Sequence, residues 1–274
     1  MISVNTNYGA MIALQNLNKT NQELEATQNN INTGLRIGGP KDNGAVWAMA
    51  QSMRMDVMAF NSVTQSLDRT ISVTDTGIAA GTSVSDLLKD MKEKALAARD
   101  TTIDANARAA YNADFVALRD MITKTLENAT FDGSNLINTN TNLQALANAD
   151  GTSFITVQAR NMSLGGSIVT VATTATISTS TKAATAITTI ETSLNNLNLA
   201  LSRMGTDAKK VNMQKAFVGK LVDELNKGVG NLVDADLAKE SARLQALQTK
   251  QQLGIQTLSI ANRAPQTVLS LFRG

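Results

Sequence analysis

The sequence predicts a mainly α fold, an elongated antiparallel helical bundle or coiled coil with a small β-hairpin element. Three observations carry that expectation. Pro40 and Pro265 are the only prolines, so more than two hundred consecutive residues contain no obligatory helix breaker. Aromatic residues make up 3% of the chain while Ala, Leu, Asn, Thr and Gln are plentiful, a supply suited to long helices packed side by side. Apolar residues step by threes and fours over two long stretches, the period of one helical face. At 274 residues the chain can bury a sizeable core without a covalent staple.

The first element is an amphipathic terminal helix. Leu17, Leu24 and Ile31 lie seven apart on one stripe, with Met11, Leu14 and Leu35 close to it, and the other faces are Asn, Gln, Thr and Lys. From Val46 the apolar positions Met49, Met53, Val57, Phe60, Val63, Leu67, Ile71 and Ile78 continue into Leu88 and Met91 past a Gly-, Ser- and Thr-rich patch. They predict one helix from about Ala45 to about Arg99. At ~1.5 Å per residue it extends ~80 Å, so a rod is expected. A shorter helix follows, with Tyr111, Phe115, Leu118, Ile122 and Leu126 on one face, ending at the turn Phe131-Asp132-Gly133.

The stretch from about 138 to 182 differs in kind. Phe154 to Arg160 alternates with a period of two, and Ile168 to Val171 is a β-branched run after Gly165-Gly166, so a small β-hairpin is expected here. Val171 to Thr185 is dominated by Thr, Ser and Ala and reads as exposed surface. Next comes a sustained heptad, from Ile187, Ile190 and Leu194 through Met204 and Val211 to Val229 and Leu232, interrupted only by Lys215. Such a seam needs a partner, and the first long helix is the obvious one. The last element carries Leu237, Leu244, Leu247, Ile255, Leu258 and Ala261, then Pro265 and the cluster Val268, Leu269, Leu271 and Phe272. A narrow apolar stripe on a polar helix is not stable alone, so both end helices should pair with each other and with neighbouring subunits.

Composition excludes most chemistry. There is no His and no Cys, which removes the commonest general base, the commonest metal ligands and every thiolate site. An enzyme is not expected, and neither is a cofactor. The net charge of +2 is spread without a long basic run, which points away from nucleic acid. No apolar run approaches the ~18 residues of a membrane span, so no membrane insertion is expected. Met-Ile-Ser-Val-Asn-Thr-Asn has neither the basic region nor the apolar core of a secretory signal peptide.

Three separated motifs resemble one family. Leu35-Arg36-Ile37 with Lys41-Asp42-Asn43-Gly44-Ala45 is similar to the N-terminal signature of bacterial flagellins. Asn128-Ala129-Thr130-Phe131-Asp132-Gly133-Ser134-Asn135-Leu136 is similar to an internal turn of the same family. Asp234-Ala235-Asp236-Leu237-Ala238-Lys239-Glu240, Gln252-Leu253-Gly254 and Ala261-Asn262-Arg263-Ala264-Pro265-Gln266-Thr267-Val268-Leu269-Ser270-Leu271 resemble its C-terminal pattern. The motifs stand in the family's order, and the chain resembles a short, alphaproteobacterial-like form lacking large outer domains.

The resemblance implies a structural subunit that polymerises into the flagellar filament, the propeller for swimming. Residues 1–40 and 234–274 would form a terminal coiled-coil domain in an inner layer, and 41–233 a helical rod domain, with the β element at about 138–182, in an outer layer. Expected partners are the chain itself, the flagellar cap and hook-associated proteins, a cytoplasmic export chaperone and the type III export apparatus. The expected location is extracellular, in the filament. Inner-layer packing is assigned to Leu17, Leu24, Ile31, Leu35, Leu247, Leu258, Val268, Leu269, Leu271 and Phe272. Thr176, Ser178 and Ser180 are candidate O-glycosylation positions in the Thr/Ser-rich stretch. The rival reading is a hook–filament junction protein, which shares the terminal plan but not the "ANxxPQxVLSL" ending. A flagellin carrying a grafted metalloprotease needs an HExxH zinc site, and this chain has no His.

Overall fold

The computed structural model describes residues 6–271, with side chains up to Arg263. The fold is mainly α. Its elements are α1 (Tyr8–Thr33), α2 (Pro40–Arg99), α3 (Ala105–Asn128), β1 (Leu143–Leu146), β2 (Phe154–Val157), α4 (Ser180–Val233) and α5 (Leu237–Leu271). Contacts divide the chain into one unit of residues 1–55 with 224–274 and another of residues 56–223.

In the first unit α1 and α5 run antiparallel. Asn7 caps α1 by accepting a hydrogen bond from the Ala10 N–H at 3.1 Å, and Gly34, at φ 71°, closes it in the left-handed conformation that spares a Cβ clash. The Asp236 carboxylate accepts from the N–H groups of Ala238 and Lys239, both at 3.1 Å, and so starts α5. Between the helices two chain segments form a short ladder. Leu35 and Asp234 make an antiparallel bridge, Arg36 and Ile37 donate their N–H groups to the Val233 carbonyl, and Ala235 donates to Gly34. The Arg36 guanidinium adds a 2.9 Å bond to the Leu232 carbonyl. The N- and C-terminal sequence motifs therefore meet backbone to backbone. Beneath them Ile37, Ala50, Val229 and Val233 form a core, covered by Leu35, Val46, Trp47, Met53 and Leu232.

The start of α2 is irregular for a visible reason. The Asp42 carboxylate accepts from Gly38 and Gly39, and Asn43, with φ −161° and ψ 99°, is extended and accepts from the Val46 N–H. Regular helix follows Asn43, close to the expected start near Ala45.

In the second unit α2 and α4 pair antiparallel. Lys215 meets Asp68, Met204 lies against Gly77, Leu201 against Gly81, and Glu191 meets Lys92 at 2.9 Å. One number rises as the other falls, the mark of a constant register. The heptad interruption at Lys215 is thus an ion pair beside the seam, its aliphatic stem half-buried. α3 returns along α2: Arg108 bonds the Ala98 carbonyl and Lys94 pairs with Asp114 at 3.5 Å. The core is built from fully buried Leu67, Leu88, Met91, Phe115, Ile122, Ile190, Leu197 and Met204.

Two local expectations need correction. A two-stranded hairpin exists, but its strands are β1 and β2, paired from Leu143↔Val157 to Leu146↔Phe154. Ile168 to Val171 is not a strand. Gly165, at φ 75°, turns the chain so that its N–H reaches the Val171 carbonyl, and Thr170 docks on α4 through Ser193 and the Thr189 carbonyl. The backbone polarity of that run is satisfied by a loop and a helix, leaving β2 to pair with the preceding segment across the Asn148–Ser153 turn. Nor is Val171 to Thr185 simply exposed. Val171, Ile177 and Ala183 are buried, and α4 begins at Ser180. Two polar side chains of α3 hold this stretch down, Asn112 accepting from the Ile177 N–H at 2.8 Å and Arg119 donating to the Ala175 carbonyl at 3.1 Å.

Candidate assembly surface

Leu17, Leu24, Ile31, Leu247 and Leu258 lie on a true heptad, but polar and small residues interrupt its apolar positions. On α1 the positions facing α5 alternate by four and three: Ala13, Leu17, Thr20, Leu24, Thr27 and Ile31. Leu17, Leu24 and Ile31 are half-buried, whereas Ala13, Thr20 and Thr27 are buried. On α5 the matching series is Glu240, Leu244, Leu247, Gln251, Gly254, Leu258 and Ala261. The helices are zipped by specific contacts. The Asn7 amide donates to the Ala261 carbonyl at 2.7 Å, Gln251 donates to the Asn21 side-chain oxygen at 2.8 Å, and Leu17 packs over Gly254.

Of the residues assigned to packing, Leu247 is buried, Leu258 is half-buried, and Leu35 is half-buried against the Ile37 core. The side chains of Val268, Leu269 and Leu271 lie outside the described residues, as does Phe272 altogether. Sequence reasoning missed Thr20, Thr27 and Glu240. The available signal was the strict alternation of four and three from Ala13 through Ile31, which an apolar-only count passes over.

Outside the seam this pair exposes large apolar side chains. On α1 they are Tyr8 at 73%, Met11 at 61%, Ile12 and Leu14; on α5 they are Leu237, Leu253, Ile255 and Ile260 at 71%. The contacts of Asn7 with Ala261 and of Leu17 with Gly254 put both groups, Leu237 excepted, at the same end of the pair. Large apolar side chains gathered at one end of a helix pair are seldom left to water.

The candidate modification positions differ among themselves. Ser178 is exposed, Thr176 is half-buried, and the half-buried Ser180 hydroxyl donates to the Arg99 carbonyl at 2.7 Å.

Nothing among the described residues resembles a reactive centre. Among the described residues no group of His, Cys, Asp and Glu could hold a metal, and no helix is long and apolar enough to cross a membrane. The Asp100 carboxyl is held below its ordinary range by the Thr102 N–H and then by the Thr102 hydroxyl, but it closes an exposed turn between α2 and α3.

The paired terminal helices leave large apolar side chains uncovered, and the second helical unit carries its own core. Comparison with known proteins identifies the class. Residues 4–142 match the bacterial flagellin N-terminal helical region and residues 187–272 match the bacterial flagellin C-terminal helical region. Flagellin FljM of Caulobacter vibrioides is 51% identical over 99% of this chain and 98% of its own length. A flagellin of Brucella melitensis is 38% identical over the full length of both. A putative flagellar hook-associated protein from Vibrio parahaemolyticus superposes with a TM-score of 0.57 at 11% identity, covering 70% of this chain and 100% of its own, a likeness of fold alone.

The chain belongs to the bacterial flagellin family. It is a short, alphaproteobacterial-like flagellin, a structural subunit that polymerises into the flagellar filament used for motility, and not an enzyme. The hook–filament junction reading is not favoured.

Proposed function

We propose that polymerisation runs through the α1–α5 pair, with residues 1–40 and 234–274 forming an inner filament layer and 41–233 a surrounding one. The observation that carries this reading is the uncovered apolar face of Tyr8, Met11, Ile12, Ile255 and Ile260 beside a seam that is itself only partly apolar. On this reading Leu17, Leu24, Ile31, Leu247 and Leu258 hold the pair in register, Leu35 packs on the core beside it, and Val268, Leu269, Leu271 and Phe272 are assigned to packing between copies. A patch that fits a different patch on the next copy generates an open helix instead of a closed ring, which is a filament. Because α1 and α5 bury only part of their apolar surface within one chain, completing that burial on association couples the ordering of the termini to assembly and resists premature polymerisation.

The same reading brings the finer partners of a flagellin: the cap and hook-associated proteins at the growing end, a chaperone that covers the C-terminal helix before export, and the type III export apparatus that delivers the chain outside the cell. Within the Thr/Ser-rich stretch, Ser178 offers the most accessible hydroxyl for a glycan.

Electron microscopy of purified chain seeded with short filament fragments, beside a truncation lacking residues 234–274, tests the assembly reading. Long filaments from the full chain and none from the truncation are expected. Filaments from the truncation would remove the terminal pair from the mechanism.

A further inference from the structure

A second surface, within residues 56–223, carries unspent positive charge. Between the loop after β2 and the outer side of α4 lies a cleft of about 370 Å³, walled by Asn140, Arg160, Asn161, Asn196, Leu199 and Arg203. Arg160 sits 3.6 Å from the Asp207 carboxylate, and the same carboxylate is shared with Lys210 at 3.7 Å. The Arg160 Nε and the Asp207 Oδ2 are both buried without a hydrogen-bond partner, so this ion pair is loosely made and leaves a guanidinium donor free. Arg203 is exposed at the rim and pairs with no carboxylate among the described residues. One carboxylate thus faces two cations, while a third cation stands alone. Leu199, 53% exposed, gives the rim an apolar lip. A pocket with excess guanidinium charge and amide walls fits a carboxylate, because an Arg fork binds that group in two parallel hydrogen bonds.

A polymerising chain supplies such groups at high local concentration from its own copies. One exposed carboxylate that forms no ion pair among the described residues is Asp150, which, unlike the carboxylates along the helices, stands at the apex of the β1–β2 turn, just before Gly151 at φ 67°. That apex is anchored at its base by the Leu146 N–H on the Ser66 hydroxyl and by Gln214 on the Ala147 carbonyl, so it projects from a fixed support. The cleft lies elsewhere on α4, along Asn196 to Arg203. Apex and cleft are different patches of one unit, as a head-to-tail contact requires.

We propose that the Arg160–Arg203 cleft of one subunit receives the Asp150 carboxylate of a second copy, a charge-paired contact between subunits that is separate from the terminal helices. The contact steers association and fixes register, so it acts most strongly at low ionic strength.

A charge swap tests it. The critical concentration for polymerisation would be measured at low and at high salt for Arg203→Glu, Asp150→Lys and the double variant, with Lys209→Glu as an exposed control on the same helix. Circular dichroism melts would confirm that each variant is folded. Each single swap should raise the critical concentration about tenfold or more at low salt, the control by under about threefold, and the double variant should return to within about threefold of the parent. Normal polymerisation of both singles, or a double variant as impaired as its singles combined, would overturn the pairing. Titrating the monomer with citrate gives the remaining outcome: saturable binding that needs Arg203, with every variant polymerising normally, would assign the cleft to a free organic acid instead. All variants leave α1 and α5 unchanged, so failure here is distinguishable from failure of the terminal-helix reading.

Discussion

The two long-helix pairings of this chain are built to different standards. In the second unit the seam buries Leu67, Leu88, Met91, Ile190, Leu197 and Met204 completely, and α3 seals it with Phe115 and Ile122. In the first unit the α1–α5 seam alternates modest apolar residues with Thr20, Thr27, Gln251, Gly254 and Glu240, and few of its large side chains are fully covered. Both are antiparallel and both follow a heptad, so the difference lies in what fills the positions. A three-helix seam of large residues is finished within one chain. A two-helix seam of small and polar residues is left for other copies to complete, because its monomer gains too little from burial to set against the ordering of two long helices.

The widest separation between the two should appear on large-to-small substitution. Phe115→Ala in the finished core is expected to cost ~3–5 kcal/mol of monomer stability by thermal or denaturant unfolding. Leu24→Ala in the open seam should cost under ~1.5 kcal/mol in the same assay, since Leu24 is only half-buried, yet it should impair filament growth far more than its monomer melt foretells. Equal monomer costs at the two sites would erase the distinction.

Glu240 sharpens the comparison from the opposite direction. Glu240 is 8% exposed in the first turn of α5, and its buried Oε2 has no hydrogen-bond partner. The helix N-terminus favours an anion there, but an unpaired buried charge costs more than that dipole returns. Glu240→Leu should therefore stabilise the free terminal pair by ~1–3 kcal/mol, read as slower amide hydrogen exchange along α5. Faster exchange in the variant would show that the carboxylate already has a stabilising role in the free chain.

The second unit was the more legible in sequence. The α4 heptad reads directly because Ile190, Leu197, Met204, Val211 and Val218 are apolar and all are buried. On α2 the apolar count is partly misleading: Ile71 and Ile78 are only half-buried, while Thr70, Thr74, Gly77 and Gly81 occupy the tightest positions. Close helix approach selects small residues, and hydropathy does not register size. The candidate assembly surface was legible in Leu17, Leu24 and Ile31 but not in the Thr and Glu positions between them. The hairpin partner was unreadable locally, because Ile168–Val171 has the composition of a strand while its hydrogen bonds are taken by a turn and by Ser193.

Small residues provide the finest test of the tightly built pairing. A Cβ added at Gly81 would come 2.7 Å from Leu201 Cδ2 and 3.3 Å from Met162 Sδ, and one at Gly77 would come 2.8 Å from Met204 Cε. A Cβ at Gly205 would meet nothing within 4 Å, although Gly205 lies on the same α4 helix as Leu201 and Met204. Replacing a helical glycine by alanine gains ~0.5–1 kcal/mol wherever space allows. Gly205→Ala should show that gain in full as a raised melting temperature. Gly81→Ala should return little or none of it, because Leu201 and Met162 must shift within a core that has no slack. If Gly81→Ala were as stabilising as Gly205→Ala, the α2–α4 contact would be looser than its buried side chains indicate, and the contrast with the α1–α5 seam would rest on residue polarity alone.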